Sequence, residues 1–435
     1  MKTLYMAVIE TKPVSDGMKP VLLDQKQTLN LVSRASDIML NIFTPDGLPA
    51  SVDRRFNHIF ARDTAIAVSF VDDTPKTLTQ SKLWDRSKAA VLSFWGFQRP
   101  NGSFPHEVKK HSPSDRLVKQ KHFYQEGEYS INEDSIDATP LMLIATALYV
   151  PRHSFDFETI LPKAQRALLW MMDNMDENNG WLSYRYNKLT QQGWMDSKYS
   201  VTYEDETLPE DPISLVEVQA FAWKTFQNWS DILRDVNPDL SRELKERAVN
   251  LKKRFNDEFL IADDRGIYFA QALDGKGNQI RSRTINPGLC LWASYKGEAI
   301  IDDAYIPPIV ERLTSSGFFD EEAGIRTFER GQNVHDPEGS PDGGYHKGEN
   351  VFWPFATAMV AKGMLDLGYV HEGKKVLRAN MKPVLYFGSF IETFNRNGTY
   401  KLYANGERGG STKNQTWTIA EFLWTVNHPA MRNTF

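Results

Sequence analysis

Twelve stretches of this chain carry apolar residues at the i, i+3, i+4 spacing of a helix face, and the segments between them alternate between short and long. The spacing predicts helices over 26–44, 61–72, 80–99, 134–150, 156–176 and 212–235, then over 239–259, 286–297, 302–316, 348–368, 370–381 and 413–428. Each even-numbered helix is followed by a connection of about one to seven residues, each odd-numbered one by about sixteen to thirty-five. The long connections are rich in Gly, Asn, Asp, Tyr and Trp. Consecutive antiparallel helices alternate ends, so every long loop leaves from the same end, and a face built of polar, aromatic loops is where binding is expected.

Six helical hairpins of this kind close into a double ring, with the even-numbered helices inside and their N-termini aimed at the long-loop face. An open solenoid of helical pairs is the rival, but it requires a repeat of fixed period, and none is detectable. The expected fold is therefore all-α, an (α/α)6 barrel with small β-hairpins in the long loops. Hairpins are expected from Gly266 to Ala272, with the turn Asp274-Gly275-Lys276-Gly277 after it, and from Gly398 to Tyr403. No Pro/Ser/Gly-rich tract divides the chain, which predicts a lead segment over 1–25 and a single barrel domain over 26–435.

Composition removes several classes of function. No run approaches the ~18 apolar residues of a membrane span. The apolar patch within Met1 to Thr11 is too brief for a secretory leader, and the chain reads as cytoplasmic. With 51 basic against 56 acidic residues and no basic stripe, nucleic acid is not an expected partner. The single cysteine, Cys290, allows no internal disulfide or cysteine-based metal site and reads as a buried small hydrophobe. The 11 Trp, 16 Tyr and 25 Phe include many in polar loops, where aromatic faces suit sugars; the rest suit a large core.

Polar-aromatic words sit where long loops hand over to even-numbered helices: Ala61-Arg62-Asp63, Asp137-Ala138-Thr139-Pro140-Leu141, Gly193-Trp194-Met195-Asp196-Ser197 with Val216-Glu217-Val218-Gln219, Asn286-Pro287-Gly288, Tyr345-His346 with Trp353-Pro354, and Gln415-Thr416-Trp417. All but Asn286-Pro287-Gly288, taken in this order, resemble the words of amylo-α-1,6-glucosidase domains, the glucosidase part of glycogen debranching enzymes. Those domains belong to the inverting (α/α)6-barrel glycoside hydrolases, which also include processing α-glucosidases, mannosylglycerate hydrolases and alkaline/neutral invertases. The resemblance spans about residues 55–425 and implies a glycosidase acting on a small carbohydrate, with no cofactor or metal.

Inverting glycoside hydrolysis needs one carboxylic acid to protonate the leaving oxygen and one carboxylate to activate water on the opposite sugar face. Asp196 has the apolar company, Trp194 and Met195, that keeps a carboxyl protonated, and it occupies the position of the family's acid. The resemblance places the base at Glu392, some two dozen residues before the Gln-x-Trp word, with Glu407 as competitor. It also implies that Arg62, Asp63 and Asp137 hold sugar hydroxyls, that Glu217 and Gln219 face the cavity, and that Tyr345 and His346 line its wall. Trp194, Trp353 and Trp417 are the stacking candidates. For Arg62 and Asp63 the alternative is a helix-start ion pair, for Asp137 an N-cap, and for Trp353 and Trp417 plain core packing.

Two features depart from the family: Glu349 adds a carboxylate near the expected site, and 435 residues exceed the barrel by little, which favours a small α-glucoside over a branched polymer. A sucrose-cleaving invertase, suggested by Gln415 to Ala420, and a non-catalytic sugar-binding barrel remain open beside the glucosidase reading. A sugar epimerase would need paired histidines, of which the sequence offers only His346. The acidic residues Asp336, Glu338 and Asp342 lack a calcium-loop pattern and read as a solvated turn.

Overall fold

The computed structural model describes residues 25–53, 57–72, 78–110, 123–150, 154–332, 345–402 and 411–431. The expected lead segment, Glu407 and the Asp336 to Asp342 turn lie outside them. Among the described residues are twelve α-helices: α1 (Gln25–Ile42), α2 (Ala61–Asp72), α3 (Leu78–Phe94), α4 (Ala138–Tyr149), α5 (Phe155–Glu177), α6 (Val216–Leu233), α7 (Pro238–Glu258), α8 (Asn286–Trp292), α9 (Ile306–Leu313), α10 (Pro354–Asp366), α11 (Val370–Phe387) and α12 (Thr416–Asn427). Each corresponds to one predicted from periodicity. None is long and apolar enough to cross a membrane.

The even-numbered helices contact one another in the cyclic order α2, α4, α6, α8, α10, α12 and back to α2, which closes the ring. One contact at each junction shows how. Tyr149 Oη donates to the Val68 carbonyl at 2.6 Å between α4 and α2, and Trp229 Nε1 to that of Leu143 at 3.1 Å between α6 and α4. The Cys290 thiol reaches the Val216 carbonyl at 3.6 Å between α8 and α6, as a wholly buried small side chain. Phe355 stacks on Trp417 between α10 and α12, and Phe70 packs on Trp424 between α2 and α12. The junction of α8 with α10 is a backbone approach, made at Gly288 and Gly363. Odd-numbered helices form the outer layer, each against the inner helix before it, and α1 packs on α12 to complete the sixth pair.

Sequence explains which helix goes where. Inner helices such as α4 (ATPLMLIATALY) are apolar all round because both sides are covered, whereas α7 has one apolar stripe, Leu244, Ala248, Leu251 and Phe255, on an otherwise charged helix. Outer helices carry conventional starts: Ser154 accepts from Phe157 N at α5, and Asn237 from Leu240 N at α7, with Pro238 behind it.

Periodicity misplaced several boundaries. Both α8 and α9 are shorter than predicted, so residues 293–305 join them, in place of the short turn expected. A two-residue bridge, Tyr295 with Glu298, ends α8 early. Pro354 starts α10 six residues late, because the preceding Val351–Phe352 is drawn into a strand.

The long loops form small antiparallel sheets, including the expected hairpins, and these join neighbouring loops around the mouth. Ile59–Phe60 pairs with Glu107–Lys110, Ser214–Leu215 with Ala272–Leu273, and Val351–Phe352 with Phe394–Asn397. Ile136 N bonds Gln192 O, Ile285 N bonds Thr327 O, and Thr416 N bonds Ala50 O. Each of these six junctions lies at, or just before, the first turn of an inner helix. Every inner helix start is therefore pinned to an adjacent loop, and the pinning runs round the whole ring.

At Gly363 an added Cβ would lie 2.4 Å from the Trp292 backbone nitrogen, on a helix that cannot yield. Alanine gains about 1 kcal/mol of helix propensity over glycine, while overpacking costs about 1–3 kcal/mol. Gly363→Ala is therefore expected to lower the unfolding midpoint in urea despite its better propensity, and Gly96→Ala, which meets nothing within 4 Å and has no positive φ, to lower it less.

Candidate active site

Side chains from the first turns of the inner helices and from the loops above them converge on one charged cluster. Arg62, the second residue of α2, is its hub. Its Nη1 donates to Asp137 Oδ2 at 3.1 Å, its Nη2 lies 3.6 Å from Asp196 Oδ2, and its Nε lies 3.9 Å from Asp63 Oδ2. Burial alone would lower the guanidinium pKa, but these three carboxylates outweigh it and raise it. Asp137 occupies the N-cap position of α4 without capping it. Its Oδ1 accepts from Ser135 Oγ at 2.6 Å, and that same Ser135 oxygen receives the Ala138 N–H, which leaves the Asp137 carboxylate to Arg62.

Asp196 comes from the loop between α5 and α6, with 34% of its side-chain surface exposed. Close protein surroundings push its carboxyl up to about 6 by desolvation, against the pull of Arg62 and with Glu107, Asp137 and Glu392 adding to the rise. His106 Nε2 stands 3.9 Å from Oδ2, on the Arg62 side, and His346 Nε2 stands 4.0 Å from Oδ1. His346 bonds Ser197 Oγ through Nδ1 at 2.6 Å, and burial, with Arg62 adding, pushes its pKa down to about 3, so the ring is neutral.

Glu392 comes from the loop between α11 and α12. In a ring of six this loop is three places from the one bearing Asp196, so the two loops stand across the ring from each other. Glu392 is buried, and its Oε2 accepts from Thr412 N at 3.1 Å and lies 3.1 Å from Thr412 Oγ1. Its charge reaches both Asp196 and Asp63, whose carboxyls it helps raise. Asp63 is pushed up to about 7, first by desolvation, although Arg62 pulls it down and Gln415 Nε2 donates to its Oδ1 at 3.1 Å.

Glu217, at the second position of α6, is also buried, and its Oε2 has no hydrogen-bond partner. Desolvation, with Asp137 adding, pushes this carboxyl up to about 8 even though Asn286 bonds it. Asn286 in turn accepts from Trp194 Nε1 at 3.1 Å, which ties Glu217 to the loop that carries Asp196.

The aromatic candidates form one wall. His346 stacks on Trp353 with ring centroids 4.7 Å apart, and Trp194, Tyr345 and Phe355 meet that pair edge-on. Trp353 Nε1 donates to the Tyr345 carbonyl at 3.2 Å, whereas Trp417, stacked on Phe355, has a buried Nε1 with no hydrogen-bond partner.

Two expected neighbours of the cavity do other work. Gln219 clamps the Leu182 and Leu215 backbones, and Glu349 accepts from Gly331 N at 2.8 Å within its own loop. Sequence reasoning missed His106 and Glu107, which bring a second histidine and a buried Glu107–His58 pair at 2.9 Å to the Asp196 side. Their only signal was a polar pair after Phe104-Pro105 in a strand too short for alternation to show. Among the described residues no group of His, Cys, Asp and Glu is arranged to hold a metal ion.

No family model matches the chain, and no curated sequence matches it. Solved structures do. The GH63 mannosylglycerate hydrolase from Thermus thermophilus, in complex with Tris, is similar over 91% of this chain and 99% of its own, with a TM-score of 0.62 at 14% identity. Its complex with glucose gives a TM-score of 0.59 at 15% identity over the same shares. A structure described as a wild-type glycosidase gives 0.59 at 11% identity, over 92% of this chain and 97% of its own. At such identities the likeness is one of fold: the chain has the (α/α)6 barrel of these proteins.

A buried carboxyl that stays protonated in the folded protein but ionises in the unfolded one makes stability fall as pH rises between the two pKa values, by at most about 1.4 kcal/mol per pH unit. For Glu217 that window runs from its ordinary range up to about 8. Glu217→Gln is expected to flatten the loss of stability between pH 5 and 8 and to raise the melting temperature more at pH 8 than at pH 5. Calorimetry across that range is the measurement.

Proposed function

We propose that this protein is an inverting glycoside hydrolase acting on an α-linked glucoside of small size, with Asp196 as general acid and Glu392 as general base. The observation that supports the proposal is the pair itself: a carboxyl raised to about 6 in the loop between α5 and α6, and a second, buried carboxyl in the loop three places round the ring whose charge reaches it. That is the division of labour that inversion requires. The fold likeness to a mannosylglycerate hydrolase and to a glycosidase supports the same class.

In this reading Arg62 and His106 both face Asp196 Oδ2, so the proton resides on Oδ1, beside neutral His346. Oδ1 protonates the glycosidic oxygen as the bond to the anomeric carbon breaks. Glu392 takes a proton from water, whose oxygen bonds to that carbon from the opposite face, giving the inverted anomer. Asp196 then regains a proton, and Glu392 releases one to solvent.

Asp63 and Asp137, oriented by Arg62, accept sugar hydroxyls. Glu217 Oε2 and Trp417 Nε1, each without a hydrogen-bond partner, supply donors to the sugar, and Trp194, Tyr345, His346 and Trp353 form an aromatic wall. An epimerase is not favoured, since His106 and His346 both come from loops and flank a carboxyl instead of facing each other from inner helices.

Asp196→Asn and Glu392→Gln are each expected to lower kcat by about two to four orders of magnitude with the fold intact. Wild-type kcat/KM should fall as pH rises above about 6, where Asp196 loses its proton. Isomaltose, sucrose and small glucosyl compounds form the substrate panel, with proton NMR of the first-formed anomer. A retained anomer, or full activity in either variant, refutes the assignment; a preference for sucrose moves it to invertase chemistry.

A further inference from the structure

A chain of side chains links the two carboxyls at the α2 and α12 side of the cavity. Gln415 Nε2 donates to Asp63 Oδ1 at 3.1 Å, Gln415 Oε1 lies 2.7 Å from Thr412 Oγ1, and Thr412 Oγ1 lies 3.1 Å from Glu392 Oε2. All four residues are buried. An ionised Asp63 accepts only, so it fixes the amide with its NH2 toward itself and its oxygen toward Thr412. That oxygen also needs a donor, and the hydroxyl of Thr412 has a single proton.

We propose that Thr412 and Gln415 are positioning residues that tie the basicity of Glu392 to the state of Asp63, through one hydroxyl proton that serves one of two acceptors at a time. This rests on the reading of Glu392 as the base. When Asp63 is ionised, the Thr412 proton goes to Gln415, and Glu392 has one donor fewer and is the stronger base. When Asp63 is protonated, the Gln415 amide turns over, and the hydroxyl is free to donate to Glu392, which weakens it. A sugar whose hydroxyls donate to Asp63 holds that carboxylate ionised, so occupancy of the cavity keeps the base at full strength. No new bond is made; the step is a rotation of one hydroxyl and one amide.

Among the described residues, Asp63 from α2 and Asp196 from the loop between α5 and α6 are carboxyls that the Glu392 charge reaches. Thr412→Val leaves the Gln415 contact to Asp63 in place, which separates the hydroxyl from that charge. The Thr412 backbone N–H to Glu392 also persists.

The test is carbon-13 carboxyl NMR of Glu392 from about pH 4 to 9, in the absence of substrate. Asp63, raised to about 7, is protonated while Glu392 titrates, so the hydroxyl then serves Glu392; as Asp63 ionises the hydroxyl moves to Gln415, and the Glu392 signal is expected to show a second inflection near 7. Gln415→Leu, which leaves the hydroxyl no other acceptor, and Thr412→Val, which removes it, should each reduce that inflection to what the Asp63 charge alone induces. Thr412→Ser should keep it, and Gln415→Leu added to Thr412→Val should change nothing further.

A second inflection of unchanged size in Gln415→Leu overturns the proposal. So does a further change when Gln415→Leu is added to Thr412→Val, because packing or the loss of the Asp63 contact would then explain it. Failure of the wild type to hydrolyse any glucoside counts against the proposed function alone, since the carboxyl titration reads the chain without turnover.

Discussion

Closure of the inner ring is the constraint on which everything else depends. A helix start leaves its first N–H groups without intrahelical partners, and here each start is met by a backbone bond from a neighbouring loop. Those bonds do two things at once. They satisfy buried polar groups that would be costly if left alone, and they fix the height and rotation of every inner helix relative to its neighbours. Arg62, Asp63, Asp137, Glu217 and Gln415 all stand within about one turn of such a junction. Their convergence follows from the ring, because no two adjacent ones share a helix hairpin except Arg62 and Asp63.

The cluster that results is electrostatically expensive. Asp63, Asp137, Asp196, Glu217 and Glu392 surround one arginine, and burial raises the carboxyls most remote from full compensation. An apolar lining would be more stable; the retained strain fits a site that must hold and release protons. Asp137 shows the trade plainly. Its position suits an N-cap, yet Ser135 takes that part and frees the carboxylate for Arg62.

Much of this was legible in the sequence, and the limits were physical ones. Apolar spacing at i, i+3, i+4 gave all twelve helices, and the alternation of connection lengths gave their pairing into hairpins. Helix ends were less legible: α8 and α10 stop or start where loop pairing intervenes, and pairing between distant loops leaves no local mark. For the same reason His106 was missed, since its neighbour Asp196 lies ninety residues away in sequence and only the sheet at the mouth brings them together. Arg62, Asp196 and Glu392 were singled out through a resemblance of short words, and the structure brings their charges within reach of one another. Gln219 was grouped with them and proved to be a clamp, because both roles ask for an amide near a helix start.

The sixth pair of the barrel joins the two ends of the described fold. Helix α1 packs on α12, Arg34 donates to the Gly388 carbonyl, and Ala50 and Ser51 meet Thr416 and Gln415. A stack of helical pairs can consolidate from one end as it leaves the ribosome; a ring cannot. Its last seam is made by segments more than three hundred residues apart, the slowest kind of contact to find. During synthesis five hairpins can be in place while Asp63 still awaits Gln415, so Glu392 joins Arg62 and the other carboxyls only when the final hairpin docks. The charged cluster is thus begun by the first half of the chain and closed by the last.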